Sequence, residues 1–192
     1  KKLKLKINDK LKKTPDDVIE GINTLSFLNF KTHTKYNIDK DSISFEYDIS
    51  KIQNSNMDYK GKLLFDPFEL KLDIDLKKYD LFKLFNFDSI KGELFKSELL
   101  FNERLSTNIS INIASNRNKE IFSSTSLKLN IINGKINFDK TTLVKDDIGV
   151  LKIDNSHLFF ENNNLILSSD VIINIQNSEK LFSFFQTSKK LR

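Results

Sequence analysis

The sequence predicts a mainly β protein, a long antiparallel meander carrying two or three short amphipathic helices, and three observations lead there. Apolar and polar residues alternate with period two along most of the chain, which puts one set of side chains on each face of a sheet. The expected turns bring apolar residues opposite apolar residues, so separate hairpins select the same face. Only 5 glycines and 2 prolines occur in 192 residues, so turns fall to Asn, Asp and Ser.

From the N-terminus, KKLKLKI alternates charge with apolar residues, unlike the unbroken apolar run of a signal peptide. Thr14-Pro15-Asp16-Asp17 offers an N-cap, a proline at the first helical position and acids in the first turn. Val18, Ile22 and Leu25 follow at helical spacing, so a short helix is expected over 14–25, weakened by Gly21. Alternation runs through Leu28, Phe30, Thr32, Thr34, Tyr36 and Ile38, and after the loop Asp39 to Ser42 through Ile43, Phe45, Tyr47 and Ile49. That loop pairs Ile38 with Ile43 and Tyr36 with Phe45. Leu70, Leu72, Ile74 and Leu76 form the next run, and LFKLF after Asp80 predicts a short aromatic helix within 80–87.

Leu105, Thr107, Ile109, Ile111 and Ile113 mark another strand, followed by Leu127, Leu129 and Ile131. Asn133-Gly134 is the strongest hairpin signal in the chain; it pairs Ile131 with Ile136 and Leu129 with Phe138. Between Ile153 and Leu158 the parity changes. A bulge adding one residue accounts for this better than a turn at Asn155-Ser156, which would leave a strand of about five residues beside longer ones. Asn162-Asn163 pairs Phe160 with Leu165 and Leu158 with Leu167. Val171, Ile173 and Ile175 close the alternation, and LFSFF predicts a second aromatic helix within 178–187.

Composition narrows the function classes. The absence of cysteine excludes disulfides and thiolate-ligated metal. The net charge of +5 raises nucleic acid as a partner, but lysines alternate with aspartates along the same strands, as in KLDIDLKK (71–78), which reads as a solvated ladder, and no nucleic acid is expected. Only KKLKLK and KKLR are locally basic, positions from which anionic lipid headgroups could be met. No stretch approaches the roughly 20 apolar residues of a spanning helix, so any membrane anchor lies outside this chain.

Catalytic constellations are not legible. His33 falls on the polar parity of its strand and His157 beside the expected bulge, neither at a metal-binding spacing. Asp16-Asp17, Asp73 with Asp75, and Asp146-Asp147 are paired acids, yet Lys71 and Lys77 flank the only pair on a strand face. No nucleophile with a base, phosphate loop or calcium loop is present. No cofactor, metal site or enzymatic activity is expected. Phe dominates the aromatics, 17 against 4 Tyr and no Trp, and follows the apolar parity, a filling role.

One apolar face of this extent needs cover. A closed sandwich or barrel would bury it in a core, whereas an open trough would leave it to a ligand. A lining of Ile, Leu, Val and Phe without fixed polar groups suits acyl chains, each buried CH₂ contributing about 0.8 kcal/mol. The candidate lining residues are Ile43, Phe45, Leu72, Ile74, Ile109, Ile111, Leu129, Ile131, Ile136, Phe138, Ile173 and Ile175.

The long alternating strands, the segment GKLLFDPFELKLDIDL (61–76), the LFKLF helix after it and the closing IINIQNSEKLFSFFQTSKKLR resemble the AsmA-like family of Gram-negative envelope proteins, the AsmA/TamB/YhdP group. The resemblance runs from about residue 28 to the end. It implies an elongated, taco-like half barrel in the periplasm, anchored to the inner membrane by an N-terminal helix and involved in phospholipid transport towards the outer membrane and in outer-membrane assembly. It carries over no catalytic residue. This chain lacks the anchor helix and is much shorter than full members, so residues 1–192 read as one segment of such a groove. The alternative is a closed β-sandwich serving as a structural or protein-interaction domain of the envelope.

Overall fold

A computed structural model describes residues 5–27, 30–48, 56–78, 99–115, 121–162 and 164–186. They form a twelve-stranded sheet: β1 (Leu5–Lys13), β2 (Ile19–Phe27), β3 (Phe30–Ile38), β4 (Ser42–Tyr47), β5 (Met57–Leu64), β6 (Glu69–Lys77), β7 (Ser106–Ala114), β8 (Ser124–Ile132), β9 (Lys135–Asn137), β10 (Thr141–Lys145), β11 (Gly149–Glu161) and β12 (Asn164–Ile175). A 3-10 turn covers Leu99–Phe101, and one helix, α1 (Ser178–Phe184), follows β12. The strands lie side by side in chain order, except that the short β9 bridges β8 and β11 while β10 continues alongside β8.

Two expectations need correction. Residues 14–25 are a turn and a strand rather than a helix. Thr14-Pro15-Asp16-Asp17 closes the β1–β2 hairpin, with Asp17 at a φ of 61° and the Thr14 amide donating to the Val18 carbonyl at 2.8 Å. Thr, Pro and Asp serve a tight turn as well as a helix start, and the pairing of Ile19–Phe27 with both β1 and β3 decides between them. The meander is also broken once, because β6 and β7 are parallel. A parallel pair needs a long crossover, here residues 78–105, whose expected helix within 80–87 lies outside the described residues. The crossover arrives through the Leu99–Phe101 turn, which lays Leu100, Phe101 and Leu105 on the cluster formed by Ile131, Ile136 and Leu158.

The three expected hairpins form, two with both expected pairs and the Asn133-Gly134 hairpin with the first of its two. Ile38 faces Ile43 and Tyr36 faces Phe45; Ile131 faces Ile136; Phe160 faces Leu165 and Leu158 faces Leu167. Asp39 organises the first turn, its carboxylate accepting from the amides of Asp41 and Ser42 at 2.8 and 2.7 Å and from the Ser42 hydroxyl at 2.9 Å. The Asp41 amide foremost, with the Ser42 hydroxyl, holds the Asp39 carboxyl below the ordinary aspartate range. Asn133 and Gly134 adopt φ of 51° and 69°, as a two-residue type I′ loop requires. A Cβ on Gly134 would also stand 2.4 Å from the Phe101 carbonyl oxygen, where the crossover lands.

The bulge lies where the parity change places it, in one continuous strand β11 between Asp154 and His157, with Asn155 at a φ of 48°. It has a counterpart in the break between β9 and β10. The Phe138 amide donates to Ser156 Oγ at 2.6 Å, and both the amide and hydroxyl of Ser156 donate to Asp139 Oδ1, at 2.7 and 2.6 Å. Ser156 thus occupies the place where Phe138 would have joined the ladder, and β9 stops at Asn137. The expected Leu129–Phe138 pairing is therefore absent, although both side chains pack on the same cluster.

On the polar face, opposite charges meet across several strands, although like charges also face each other at Lys62–Lys71 and Asp58–Asp75. Lys35 faces Glu46, Glu46 faces Lys60 and Lys60 faces Asp73. Such opposed pairs contribute about 0.2–1 kcal/mol each and penalise a shifted register.

Candidate functional site

Rows of directly opposed residues cross the other face of the sheet. One row joins Ile19, Ile38, Ile43, Leu63, Leu70, Thr107, Ile131, Ile136, Leu158 and Leu167 over ten strands. A second joins Gly21, Tyr36, Phe45, Gly61, Leu72, Ile109 and Leu129. Opposed residues in a ladder point the same way, so the face is shared from β2 to β12.

Between β1 and β5 this face is not purely apolar. A Cβ on Gly21 would lie 2.1 Å from Tyr36 Cζ, and one on Gly61 2.3 Å from Phe45 Cζ, so each glycine makes room for an aromatic ring lying flat over its strand. Tyr36 extends over β2 and donates its hydroxyl to the Asp9 carboxylate of β1 at 2.9 Å. Lost water contact, together with that carboxylate, pushes the Tyr36 hydroxyl above the ordinary tyrosine range. Tyr59 meets Tyr47 edge to face, with centroids 5.6 Å apart, and its hydroxyl spans β4 to bond Thr32 and Thr34 on β3. From β6 onward the face turns aliphatic, with Leu76 and Ile113 buried against Met57, Ile74, Ile111, Phe122 and Leu143.

Eleven of the twelve expected lining residues lie in strands on this one face; Phe138 joins them by packing on the Ile131 cluster. They differ in access. Ile43, Phe45, Leu72, Ile74, Ile109, Ile111, Leu129 and Phe138 are half-buried. Ile131 and Ile136 are sealed at 1% and 0% exposure beneath the crossover and present no surface to a ligand. Ile173 and Ile175 on β12 are open, at 62% and 48%.

A feature not singled out in the sequence lies where α1 meets the sheet. Asn177 caps the helix by accepting from the Lys180 amide at 2.9 Å, and Lys180 pairs with Asp147 of the β10–β11 turn at 2.9 Å. Between α1 and β10–β12 lies a cleft of about 160 Å³ with almost wholly apolar walls, among them Phe122, Leu143, Leu151, Ile173, Leu181 and Phe184. The Lys145 ammonium sits at its rim, 5.3 Å from the centre of the Phe184 ring. The signal available in the sequence was the LFSFF stripe, which identifies the helix but not the strands it covers.

The two histidines lie on separate strands, and of the acids Asp75 faces Asp58 across β5 and β6. His33 Nδ1 lies 3.0 Å from Thr24 Oγ1, and His157 stacks on Phe159 at 5.3 Å. Asp75 accepts from Asn112 at 2.9 Å, while Asp16-Asp17 and Asp146-Asp147 occupy turns. Among the described residues no three His, Asp or Glu side chains gather as a metal site, and no helix is long and apolar enough to cross a membrane. No family model, no curated protein and no solved structure matches the chain.

Proposed function

We propose that this chain binds phospholipid acyl chains along the aliphatic half of its sheet face, as one stretch of a lipid-binding or lipid-conducting groove. The observation that carries the reading is the aliphatic face from β6 to β12, half-buried or open over most of its length, on which the hydroxyl-bearing Thr107, Thr125 and Thr141 are buried and the accessible residues are mostly Leu, Ile and Val. Acyl chains supply what such a surface lacks, at about 0.8 kcal/mol per buried CH₂, and they slide because no fixed hydrogen bond holds them. The α1 cleft would take a chain end, with Lys145 near a headgroup phosphate. Curling of the sheet into an open half barrel belongs to the same proposal. Periplasmic placement, an inner-membrane anchor outside this chain and transport between the two membranes rest on the AsmA-like resemblance. No catalytic step is part of the reading.

Photo-crosslinking tests it. A benzophenone side chain at Ile111, on the aliphatic face, captures phospholipid in cells, while one at Asn112, on the opposite face, does not. Mass spectrometry of the protein purified without added detergent then finds bound phospholipid. Equal labelling at the two sites, or protein free of lipid, overturns the proposal.

A further inference from the structure

The two terminal strands of the sheet are guarded very differently. β1 has four lysines in nine residues, Lys6, Lys10, Lys12 and Lys13, charges of the kind that deter an edge from pairing with another strand. β12, NLILSSDVIINI, has one charged side chain in twelve residues, Asp170, and neither lysine nor proline. Nor is it apolar on one face only. Leu165, Leu167, Val171, Ile173 and Ile175 are 39–62% exposed on the aliphatic side, and Ile172 is 51% exposed on the other. Among the described residues β12 pairs with β11 alone.

The order of residues in β12 identifies what fits this edge. Polarity along 164–174 is a palindrome about Ser169. In an antiparallel pair of two such strands related by a two-fold axis at Ser169, Asn164 faces Asn174, Leu165 faces Ile173, Ile166 faces Ile172, Leu167 faces Val171 and Ser168 faces Asp170, each time of the other copy. Every apolar residue from 165 to 173 meets an apolar one, and a hydroxyl donor meets each carboxylate. Neighbouring registers lose this match. Centred on Asp170, the two carboxylates oppose each other; centred on Ser168, Asp170 opposes Ile166. A pairing of opposite parity turns one copy's aliphatic face to the other side.

We propose that this chain forms a two-fold dimer through antiparallel β12–β12 pairing centred on Ser169, which joins two sheets edge to edge with their aliphatic faces on the same side. A closed two-fold contact of this kind is isologous and ends at two copies. The proposal stands independently of whether lipid is the ligand.

The chain has no cysteine, which makes a symmetric disulfide a clean readout. Ser169→Cys places two thiols opposite each other across the axis, within reach of a disulfide, and gives a covalent dimer under mild oxidation. Ser168→Cys is the control, since it points to the other face and is offset from its own copy. In sedimentation up to about 100 µM, a range chosen because one strand edge makes a small interface, the unmodified chain shows a monomer–dimer equilibrium. Ser168→Asp, which sets carboxylates opposite Asp170 twice, weakens it by about tenfold, and Ser168→Lys does not weaken it. Circular dichroism checks the fold of each variant; should Ser168→Asp fail to fold, the cysteine pair decides alone. A monomer throughout, equal crosslinking at 168 and 169, or a folded Ser168→Asp variant that dimerises unchanged overturns the proposal.

Discussion

The face that runs across the sheet has two regions built on different principles. From β1 to β5 it carries Asp9, Thr32, Thr34, Tyr36, Tyr47 and Tyr59, and the hydroxyls of Tyr36 and Tyr59 reach over intervening strands to find partners on the chain itself. From β6 to β12 it carries mainly Leu, Ile and Val, its hydroxyl groups being chiefly the buried Thr107, Thr125 and Thr141. A buried hydroxyl must have a partner or cost about 1–3 kcal/mol, so the first region is completed by the chain's own bonds and has a fixed geometry. An aliphatic surface imposes no such geometry and accepts any apolar cover. In the second region the crossover covers Ile131, Ile136 and Leu158, α1 covers a small cleft, and the remainder of the strip, β12 above all, is open.

The comparison can be broken first at the sealed part of the aliphatic region. Ile136→Ala removes a fully buried side chain from beneath Leu100 and Phe101, and urea unfolding should show a loss of about 2–5 kcal/mol. A loss typical of a surface site would mean that the crossover is not fixed over the cluster. In the polar region, Tyr59→Phe leaves the Thr32 hydroxyl, at 5% exposure, without its partner, and the same measurement should show about 1–2 kcal/mol. Ile173→Ser belongs to the open strip. At 62% exposure it should change stability by less than about 0.5 kcal/mol, yet reduce the phospholipid that accompanies the purified protein. A change in stability without a change in lipid would reverse the assignment of sealed and open parts.

How much of this was legible in the sequence follows from the kind of signal each feature leaves. Parity and turn chemistry are local, and the Asp39, Asn133-Gly134 and Asn162 hairpins and the Asn155 bulge are all where the alternation puts them. Thr14-Pro15-Asp16-Asp17 misled because the same residues serve a turn and a helix start, and only the β2–β3 partnership, a non-local fact, separates the two. The parallel β6–β7 pair left no mark because strand direction does not alter parity. The burial of Ile131 and Ile136 was hidden for a related reason. They alternate like Ile109 and Ile111, and what distinguishes them is a crossover arriving from a distant part of the chain. Tyr36 counted as an apolar position by parity and Tyr59 stood in no alternating run, while their hydroxyl partners two strands away are visible only in the structure.

The smallest effect tests the turn that fixes how the polar region is registered. The Asp39 carboxylate accepts three hydrogen bonds within the β3–β4 loop, and its pKa is lowered, chiefly by the Asp41 amide. Because the folded-state value lies below the unfolded one, the ionised carboxylate contributes stability above the unfolded aspartate range, and that contribution is lost as pH falls through the folded value. Asp39→Asn keeps one acceptor oxygen but cannot ionise. The difference in unfolding midpoint between the parent chain and this variant should therefore be largest near neutral pH and shrink as the pH falls below the ordinary aspartate range, where the parent carboxyl is itself becoming protonated. A difference constant across that window would mean that the loop depends on the shape of the side chain rather than its charge. In that case the Ile38–Ile43 register would be held by the strand faces alone.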